Sequence, residues 1–367
     1  MWLVPALRFP EFTEEWRLVH LDEIAEFQKH RISTSLLNNS NYISTENILQ
    51  NFEGIQSSPS IPANTNVIEY QKGDILLSNI RPYLKKVWFA DRKGGCSADV
   101  FVLRGDKCDQ HFLYYVIASD RFINYVMSGA KGVKMPRGDK SQMEKYAFSI
   151  PINTEQRKIA KFLSILDERI RLQNKIIEDW KKLKSAIYQK IFESLVAPTL
   201  KLGQIVEIIK GQQVNGTDLL EQGDYYVMNG GTTPSGWLNT YNTECNTISI
   251  SEGGNSCGYV QYNTSRYWSG GHCYSLRILN THETIDLYLY HYLKWQEGNI
   301  MALRIGSGLP NIQKKDLLRF PVILPTISLQ KRIVSILNAI EEKVTCENSI
   351  TEHFTKHKEY LLNELFI

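Results

Sequence analysis

A stretch of this sequence that begins near residue 132 returns near residue 306 without an insertion or a deletion. Eight residues of the first copy recur after a constant displacement of 174 positions. They are Gly132, Pro136, Lys140, Pro151, Gln156, Ile159, Leu163 and Glu168, which reappear as Gly306, Pro310, Lys314, Pro325, Gln330, Ile333, Leu337 and Glu342. Self-similarity at a fixed displacement indicates repeated structural units. The chain is therefore predicted to contain two copies of one unit.

A weaker repeat opens each copy, because residues 21–26 are similar to residues 202–207 at a displacement of 181. The segments between the matched ends do not resemble each other well. Two units with a shared tail and different bodies suggest one scaffold that carries two different recognition surfaces.

The composition is that of an ordinary soluble protein with more than one core. The chain has 367 residues, of which 43% are hydrophobic and 22% are charged. No apolar run approaches the roughly 18 residues of a membrane span, and residues 1–10 lack the apolar core of a signal peptide. Six cysteines without a Cys-x-x-Cys pair predict reduced thiols rather than disulfides or structural zinc. We therefore expect a cytoplasmic protein without a metal site.

Each body is predicted to be rich in β-strands. Residues 73–78 and 100–103 have the apolar character of buried strands in the first body, and residues 246–251 and 259–262 have it in the second. Gly94 and Gly95 are predicted to lie in a turn.

Each body is followed by a long segment typical of a helix. Forty residues from Thr154 contain neither glycine nor proline, and a second such stretch runs from Ser328. Thr154 and Ser328 are predicted as N-caps, since a hydroxyl can accept an amide proton of the first turn. Shorter helices are predicted at residues 110–118 and 285–294.

Both long helices carry an apolar seam at heptad-like spacing, which requires a partner helix. In the first helix the seam consists of Ile159, Leu163, Leu166, Ile170, Ile177, Trp180 and Ile187, and in the second it consists of Ile333, Leu337, Ile340, Val344, Phe354 and Leu361. Only residues 194–199 join the first helix to the second body, which favours antiparallel pairing. Trp180 and Phe354 occupy equivalent positions and are predicted to pack against each other.

Polar residues interrupt both seams, which suggests that the helices specify a register rather than maximise stability. The interruptions are Gln173, Lys184, Glu347, Thr351 and Lys358. The predicted fold class is α+β: two globular bodies, each followed by a long helix, with the helices paired as an antiparallel coiled coil of pseudo-twofold symmetry.

Cations cluster among glycines and prolines, which places them on loops. A net charge of +3 does not by itself indicate a nucleic-acid partner, and a lysine-rich loop is also typical of a solvated surface. The candidate DNA-binding residues of the first body are Arg81, Lys85, Lys86, Lys131, Lys134, Arg137 and Lys140. Those of the second body are Asn255, Asn263, Arg266, Arg304, Asn311, Lys314 and Lys315.

Several segments together resemble the specificity subunit of Type I restriction-modification systems, and the resemblance covers nearly the whole chain. The segments are residues 7–12 with Trp16, the strand 73–78 that runs into Ile80-Arg81-Pro82, and residues 148–151 followed by residues 155–160. The second copy departs from the pattern, because Leu329 stands where the first copy has Glu155. The glutamine and the apolar seam that follow are retained in both copies.

The resemblance implies two target-recognition domains, each reading one half of a split and asymmetric sequence in double-stranded DNA. It also implies that the helices set the unread spacer and bind modification (methyltransferase) subunits, two in number. The corresponding divisions are 1–152 and 194–325 for the recognition domains and 153–193 and 326–367 for the helices. S-adenosylmethionine, ATP and Mg²⁺ are expected on the modification and restriction subunits, with no cofactor on this chain.

The residues agree with a non-catalytic role. The chain has no Pro-Pro dipeptide, as in the Asn-Pro-Pro-Tyr turn of an amino-methyltransferase, and no Gly-Lys, as in a phosphate loop. Gly253–Gly258 lacks that lysine and is interpreted as a tight turn. Two alternatives remain open: a stand-alone methyltransferase or nuclease, and a protein-only coiled-coil adaptor, which could be a degenerate specificity subunit that no longer reads DNA.

Overall fold

The computed structural model describes residues 5–57, 60–306, 308 and 310–366. It divides into two compact units. Unit 1 consists of Met1–Asn174 and Ser349–Ile367, and unit 2 consists of Lys175–Asn348. Each unit therefore contains one body together with part of both long helices.

The body of unit 1 contains ten strands and four short α-helices within the part described. The strands are β1 (Arg17–His20), β2 (Ala25–Phe27), β3 (Arg31–Ser33), β4 (Tyr42–Ile43), β5 (Asn66–Tyr70), β6 (Ile75–Ser78), β7 (Val87–Phe89), β8 (Gly94–Cys96), β9 (Val100–Gly105) and β10 (Ala147–Ile150). The helices are α1 (Leu21–Ile24), α2 (Gln110–Ile117), α3 (Asp120–Ser128) and α4 (Lys140–Glu144). The first long helix, α5 (Asn153–Glu193), follows β10.

The body of unit 2 contains nine strands and four short α-helices among the described residues. Its strands are β11 (Thr199–Lys201), β12 (Val206–Lys210), β13 (Tyr225–Met228), β14 (Trp237–Leu238), β15 (Thr247–Ser251), β16 (Val260–Asn263), β17 (Trp268–Ser269), β18 (Cys273–Ile278) and β19 (Pro321–Ile323). Its helices are α6 (Leu202–Ile205), α7 (Asp286–Trp295), α8 (Glu297–Met301) and α9 (Lys314–Leu318), and the second long helix is α10 (Ile327–Leu365). No helix among the described residues is long and apolar enough to cross a membrane.

One antiparallel sheet is common to both bodies. Its order is β2-β9-β6-β7 in unit 1 and β12-β18-β15-β16 in unit 2. The strands predicted from residues 73–78, 100–103, 246–251 and 259–262 form β6, β9, β15 and β16, so these predictions are confirmed. The predicted short helices correspond to α2 and α7. The repeat therefore extends through the bodies, although their sequences differ.

The second sheet is where the two bodies differ. In unit 1 its order is β3-β5-β8-β4, and in unit 2 a smaller sheet has the order β14-β13-β17. The prediction of a turn at Gly94 and Gly95 is wrong, because both lie in β8. A Cβ atom on Gly94 would lie 2.0 Å from the carbonyl oxygen of Asn41, so glycine permits close strand packing here rather than a turn.

The weak repeat at the start of each copy forms the same structure twice. Residues 21–24 and 202–205 form α1 and α6, each of which is followed directly by a strand of the shared sheet. The strand before each short helix pairs with the strand before the long helix, β1 with β10 and β11 with β19. The similarity of residues 21–26 and 202–207 therefore marks equivalent positions.

The long helices begin slightly earlier than predicted. The amide of Gln156 donates to the carbonyl of Ile152 at 3.0 Å, and the amide of Gln330 donates to that of Thr326 at 3.0 Å. Thr154 and Ser328 consequently lie within the first turn, and the prediction that they are N-caps is wrong.

Gln156 and Gln330 explain why a glutamine recurs at this place. The side-chain oxygen of Gln156 accepts from the amide of Asp109 at 2.8 Å, and that of Gln330 accepts from the amide of Ile285 at 2.8 Å. Each side-chain nitrogen donates to the carbonyl of the preceding proline, Pro151 or Pro325, also at 2.8 Å. Both glutamines are buried. In each unit the glutamine therefore connects the long helix to the beginning of α2 or α7.

Glu155 and its counterpart Leu329 hold the helix start by different means. Glu155 is fully buried and accepts two hydrogen bonds of 2.8 Å from the guanidinium of Arg8. Leu329 instead packs against the core of unit 2. The carboxylate of the first copy thus binds an arginine of the opening segment. An edge contact between Phe9 and Phe162, with ring centroids 5.9 Å apart, also holds this segment on α5.

The two long helices pair in each unit through an ion pair at equivalent positions. In unit 1 Lys358 lies 2.5 Å from Asp167, and in unit 2 Lys184 lies 2.6 Å from Glu341. Lys358 lies 174 positions after Lys184, and Glu341 lies 174 positions after Asp167, so the two ion pairs are equivalent in the repeat. In unit 1 the guanidinium of Arg169 also lies over the ring of Phe354, 5.4 Å from its centroid. Arg169 follows Asp167 on α5, whereas its partner Phe354 precedes Lys358 on α10. The two helices therefore run antiparallel.

Seven residues of the apolar seam are buried and six are half-buried. Its buried members are Ile159, Leu163, Ile177, Ile333, Leu337, Ile340 and Leu361, and its half-buried members are Leu166, Ile170, Trp180, Ile187, Val344 and Phe354. The prediction that Trp180 and Phe354 pack against each other is wrong, because the ring of Phe354 lies against the guanidinium of Arg169 in unit 1, whereas Trp180 belongs to unit 2. Both side chains keep part of their surface in solvent, so truncating either one should lower the free energy of unfolding by less than the roughly 3–5 kcal/mol of a fully buried aromatic residue.

A buried polar chain connects α7 to both long helices within unit 2. His291 Nδ1 lies 2.6 Å from the hydroxyl of Tyr188, and its Nε2 lies 2.8 Å from Oδ1 of Asn338. The Tyr188 hydroxyl also lies 3.1 Å from Glu341, which binds Lys184. A neutral imidazole with its proton on Nε2 donates to Asn338, and its Nδ1 shares the single hydroxyl proton of Tyr188 with Glu341.

We predict that acidification destabilises unit 2 through His291. Burial lowers the pKa of this histidine below its ordinary value of 6.5. Below about pH 6.5 the unfolded chain therefore binds a proton at His291 more readily than the folded unit does. The stability that neutral His291 contributes is present above about pH 6.5 and is lost as the pH falls. Chemical unfolding between pH 8 and 5 should show a falling free energy of unfolding in the wild type and a smaller fall in His291→Gln. The control His357→Gln, which changes an exposed side chain, should show the same fall as the wild type. Equal pH dependence in all three proteins would contradict the assignment.

Candidate nucleic-acid interface

A hairpin turn of residues 79–86 joins β6 to β7 in unit 1. It is closed by the amide of Ser78, which donates to the carbonyl of Lys86 at 3.0 Å, and by the amide of Leu84, which donates to Arg81 at 2.9 Å. The ring of Tyr83 is exposed on this turn, whereas Trp88 in β7 is buried in the core. The turn therefore presents Arg81, Lys85 and Lys86 from a closed backbone.

A second segment, the cationic loop of residues 131–137, is closed in the same way. The amide of Lys131 donates to the carbonyl of Arg137 at 3.0 Å, and the amide of Arg137 donates back at 2.9 Å. Gly132 has φ +98°, a conformation that favours glycine. Val133 is fully exposed at the tip. The loop is thus a tight structure that projects cations and one apolar side chain into solvent.

The hairpin turn and the cationic loop cross each other. The amide of Arg81 donates to the carbonyl of Pro136 at 2.8 Å, and the amide of Gly138 donates to that of Asn79 at 3.1 Å. Pro136 itself is buried. The crossing thus joins the turn that carries Arg81, Lys85 and Lys86 to the loop that carries Lys131, Lys134 and Arg137, although the two segments are far apart in the sequence.

Unit 2 repeats this crossing with its own residues. The amide of Gly254 donates to the carbonyl of Pro310 at 3.0 Å, and the amide of Ile312 donates to that of Glu252 at 2.8 Å. Ile305 and Asn311 exchange both amide bonds, at 2.8 and 3.0 Å. Gly306, the counterpart of Gly132, has φ +102°. The turn 252–259 and the loop 305–311 therefore correspond to the turn and loop of unit 1, apart from Ser307 and Leu309, which lie outside the described residues.

Most cations of the unit 1 crossing already have a partner inside the unit. Lys131 lies 2.8 Å from Asp139, Arg137 3.2 Å from Asp99, and Lys85 2.7 Å from Asp120, while Lys86 donates to the carbonyl of Thr45 at 2.7 Å. The ammonium of Lys131 holds the pKa of Asp139 below its ordinary value. Arg81 and Lys134 make no ion pair or side-chain hydrogen bond with any residue that the structure describes.

Lys140 does not lie on the cationic loop. It is the first residue of α4, its ammonium lies 3.6 Å from Glu144, and it stands 5.1 Å from the ring centroid of Phe27. Its counterpart Lys314 and the adjacent Lys315 open α9, where both are exposed. These three lysines therefore flank the crossings rather than belong to them.

Asn263 is wrongly predicted as a DNA-binding residue. Its side chain is 1% exposed in β16. Its Nδ2 donates to the carbonyl of Thr247 at 2.9 Å and to the hydroxyl of Ser249 at 3.0 Å, and its Oδ1 accepts from the hydroxyl of Tyr226 at 3.1 Å. All of its hydrogen-bonding capacity holds neighbouring strands, so no base edge can reach it.

The remaining candidates of unit 2 are on the surface. Asn255 is exposed on the turn, and Arg304 and Asn311 are exposed at the loop. Arg266 lies outside the crossing, where it binds Glu244 at 2.8 Å and stacks on Tyr241 at 4.7 Å from the ring centroid. Unit 2 therefore presents amides and one arginine where unit 1 presents several lysines and arginines.

A glycine-rich segment of residues 229–236 was missed by the sequence interpretation. The hydroxyl of Ser251 donates to the carbonyl of Gly230 at 2.6 Å, and the amide of His272 donates to Oδ1 of Asn229 at 3.1 Å. Gly230 has φ +87°, and a Cβ atom there would lie 3.0 Å from His272. The segment therefore lies against Ser251 and His272, and a Cβ atom on Gly230 would lie 3.5 Å from the carbonyl oxygen of Gly253 in the turn 252–259. Its run of glycine, threonine, proline and serine was a loop signal, but nothing in the sequence indicated where the loop would pack.

Comparison with known proteins relates both copies to one family. A family model described as the Type I restriction modification DNA specificity domain matches residues 13–181 and again residues 198–355. A chain from Mycoplasma pneumoniae, named as a type I specificity subunit, is 35% identical over 167 residues, which are 45% of this chain and 44% of that relative. The chain thus spans less than half the length of that relative.

Two further comparisons extend over more of the chain. A chain from Methanocaldococcus jannaschii, named as the specificity subunit of the type I restriction enzyme MjaX, is 25% identical over 338 residues, covering 80% of this chain and 77% of the relative. The crystal structure of a Type I restriction-modification S subunit from M. genitalium has a TM-score of 0.68 and covers 99% of both chains at 20% identity. At that identity the second comparison supports the fold alone.

We predict that Asn263 and Asn255 behave oppositely on substitution. Asn263→Ala leaves the partners of a buried amide unsatisfied and should lower the free energy of unfolding by about 1–3 kcal/mol. Asn255→Ala changes an exposed side chain and should stay within about 0.5 kcal/mol of the wild type. Denaturant unfolding measures both. An Asn263→Ala protein as stable as the wild type would show that its hydrogen bonds do not hold the sheet.

Proposed function

Because the chain belongs to the family of the Type I restriction modification DNA specificity domain, we propose that it is the subunit that reads the DNA sequence in a Type I restriction-modification complex. The observation that supports this most directly is the crossing of a hairpin turn and a loop, which occurs once in each unit. In unit 1 the two segments that cross carry six cations, and cations on rigid backbone segments are suited to phosphates and base edges.

The two units are proposed to read different half-sites. The backbone frame of the crossing is the same in both, but its side chains differ: Arg81 and Lys85 of unit 1 correspond to Gly254 and Gly258 of unit 2. The second sheets also differ. Unlike surfaces on a common frame would select unlike sequences, so the target is expected to be asymmetric.

The long helices are proposed to set the spacer between the half-sites and to bind two modification subunits. Helix α5 has 41 residues, which at about 1.5 Å per residue is on the order of 60 Å. Several apolar side chains of the helices are exposed, among them Ile165, Ile176, Leu183 and Ile336. A second row of apolar residues outside the seam is what a helical partner would cover. S-adenosylmethionine, ATP and Mg²⁺ are assigned to the modification and restriction subunits.

Methylation mapping tests the proposed function directly. The chain is co-expressed with the modification subunit encoded beside it, and modified bases are mapped across the host genome by single-molecule sequencing. We expect one split, asymmetric motif that disappears when this chain is omitted. A stable complex that leaves methylation absent, or methylation that does not depend on this chain, would support a protein-only adaptor or a degenerate subunit instead.

We further predict that Asp99 limits DNA affinity by neutralising Arg137, 3.2 Å away. Asp99→Asn removes one negative charge from the crossing. Binding of DNA by the assembled complex should therefore tighten severalfold at low salt, and the slope of log affinity against log salt should become steeper by about one unit. Binding is measured over a salt titration.

Asp179→Asn is the matched control, because it makes the same change of charge on the exposed surface of α5, where the carboxylate lies 3.9 Å from Lys182. It should leave both the affinity and the slope close to those of the wild type. Equal effects of the two substitutions would mean that Arg137 does not contact phosphate.

A further inference from the structure

Two cationic residues of the unit 1 hairpin turn have a backbone conformation that favours glycine. Arg81 has φ +51° and Lys85 has φ +52°. A side chain in this left-handed region crowds its own backbone and is retained only when something else requires it. We therefore look to the side chains of Arg81 and Lys85 for the reason that this strained conformation is kept.

Unit 2 contains the unstrained version of the same turn. Gly254 and Gly258 occupy the positions of Arg81 and Lys85, with φ +76° and +92°. The correspondence rests on hydrogen bonds, since Gly254 donates to Pro310 as Arg81 donates to Pro136. The frame can thus be built with glycine at both positions, and unit 1 carries side chains there in spite of the strain.

The side chain of Lys85 has a structural role, but that of Arg81 has none within the described part of the chain. The Lys85 ammonium lies 2.7 Å from Asp120 in α3 and so connects the turn to the body. The guanidinium of Arg81 is exposed and makes no ion pair or hydrogen bond with the described residues. Internal packing therefore does not explain why an arginine is present at position 81.

The backbone of Arg81 is nevertheless held firmly. Its amide donates to Pro136 at 2.8 Å and its carbonyl accepts from Leu84 at 2.9 Å, so it is tied to both the cationic loop and its own turn. A guanidinium projecting from a fixed backbone offers a planar fork of donors at a defined position. Such a fork matches O6 and N7 of guanine in the major groove, and a rigid origin is needed to discriminate between bases.

We propose that Arg81 reads a guanine in the half-site bound by unit 1, whereas the neighbouring Lys131 and Arg137 act on the DNA backbone. This inference rests on the proposed function. It assigns to Arg81 the role of a specificity-determining residue and requires a guanine in one half of the target.

The substitution Arg81→Gly separates this role from a structural one, because it copies the residue of unit 2. The melting temperature should be unchanged or higher by up to about 4 °C, since strain is released. Discrimination against other bases at the guanine position should fall by about 10- to 100-fold in DNA binding by the assembled complex. Asn64→Gly is the matched control: Asn64 is an exposed residue of unit 1 with φ +50°, outside the crossing, and its substitution should leave discrimination unchanged.

A base analogue tests the contact itself. Once the wild-type motif is mapped, each guanine of the two half-sites is replaced in turn by 7-deazaguanine, which lacks the N7 acceptor. One such replacement should weaken binding by the wild-type complex and have no further effect on the Arg81→Gly complex. Arg81→Lys should lose part of the discrimination, because an ammonium is a point charge without the planar fork of donors that matches O6 and N7.

Three results would overturn the proposal. A half-site pair without guanine excludes it. Retained discrimination in Arg81→Gly excludes it as well. If Arg81→Lys binds like the wild type and Arg81→Gly weakens binding equally for all sequences, with the salt slope reduced by about one unit, Arg81 contacts phosphate instead. In each of these cases the wild-type complex still has a motif, whereas a wild-type complex without any motif would refute the proposed function and this inference with it.

Discussion

The structure of each unit depends on one backbone constraint, the crossing in which the amide of residue 81 or 254 donates to the carbonyl of Pro136 or Pro310. Because donor and acceptor both belong to the main chain, the frame does not require particular side chains in the turn. It does require a loop that closes tightly, and Gly132 and Gly306 supply the positive φ angles for that closure. A frame held in this way allows the exposed side chains to change while their positions stay fixed, which is what two recognition surfaces on one scaffold need.

The helices are connected to the bodies by side chains, and here the two units differ more. In unit 1 the hydroxyl of Tyr115 from α2 donates directly to Asp167 at 2.8 Å. In unit 2 the equivalent carboxylate, Glu341, is reached from α7 through Tyr188 and His291. Both carboxylates also bind a lysine of the opposite helix. Asp167 and Glu341 therefore each serve two contacts at once, since they bind the opposite helix and also attach the body.

The parts of the fold that follow from local pattern were predictable, and those that depend on distant contacts were not. The shared sheet, α2, α7 and the long helices follow from apolar runs and from the absence of glycine and proline. The crossing joins residues 79–81 to residues 136–138, and no local pattern indicates that pairing. For the same reason the burial of Asn263 was missed: an asparagine between tyrosine and threonine is typical of an exposed strand end, and only the neighbouring strands show that its amide is fully used. Gly94 and Gly95 were mistaken for a turn because close packing against Asn41 leaves no mark in the sequence.

The pairing of cations with internal carboxylates bears on how a DNA-reading chain can remain selective. Non-specific affinity grows with every cation that is free to bind phosphate, whereas specificity depends on the difference between the right and the wrong sequence. Lys131, Arg137 and Lys85 each lie within 3.2 Å of an aspartate, which reduces the charge that a random duplex meets. Among the residues that the structure describes, Arg81 has no such partner, and its backbone is held by hydrogen bonds to Pro136 and Leu84. On the proposed function, the aspartates thus reduce the non-specific affinity for DNA at the cations that would contact any sequence. Arg81 keeps an unpaired guanidinium, within the described part of the chain, at the position suited to a base.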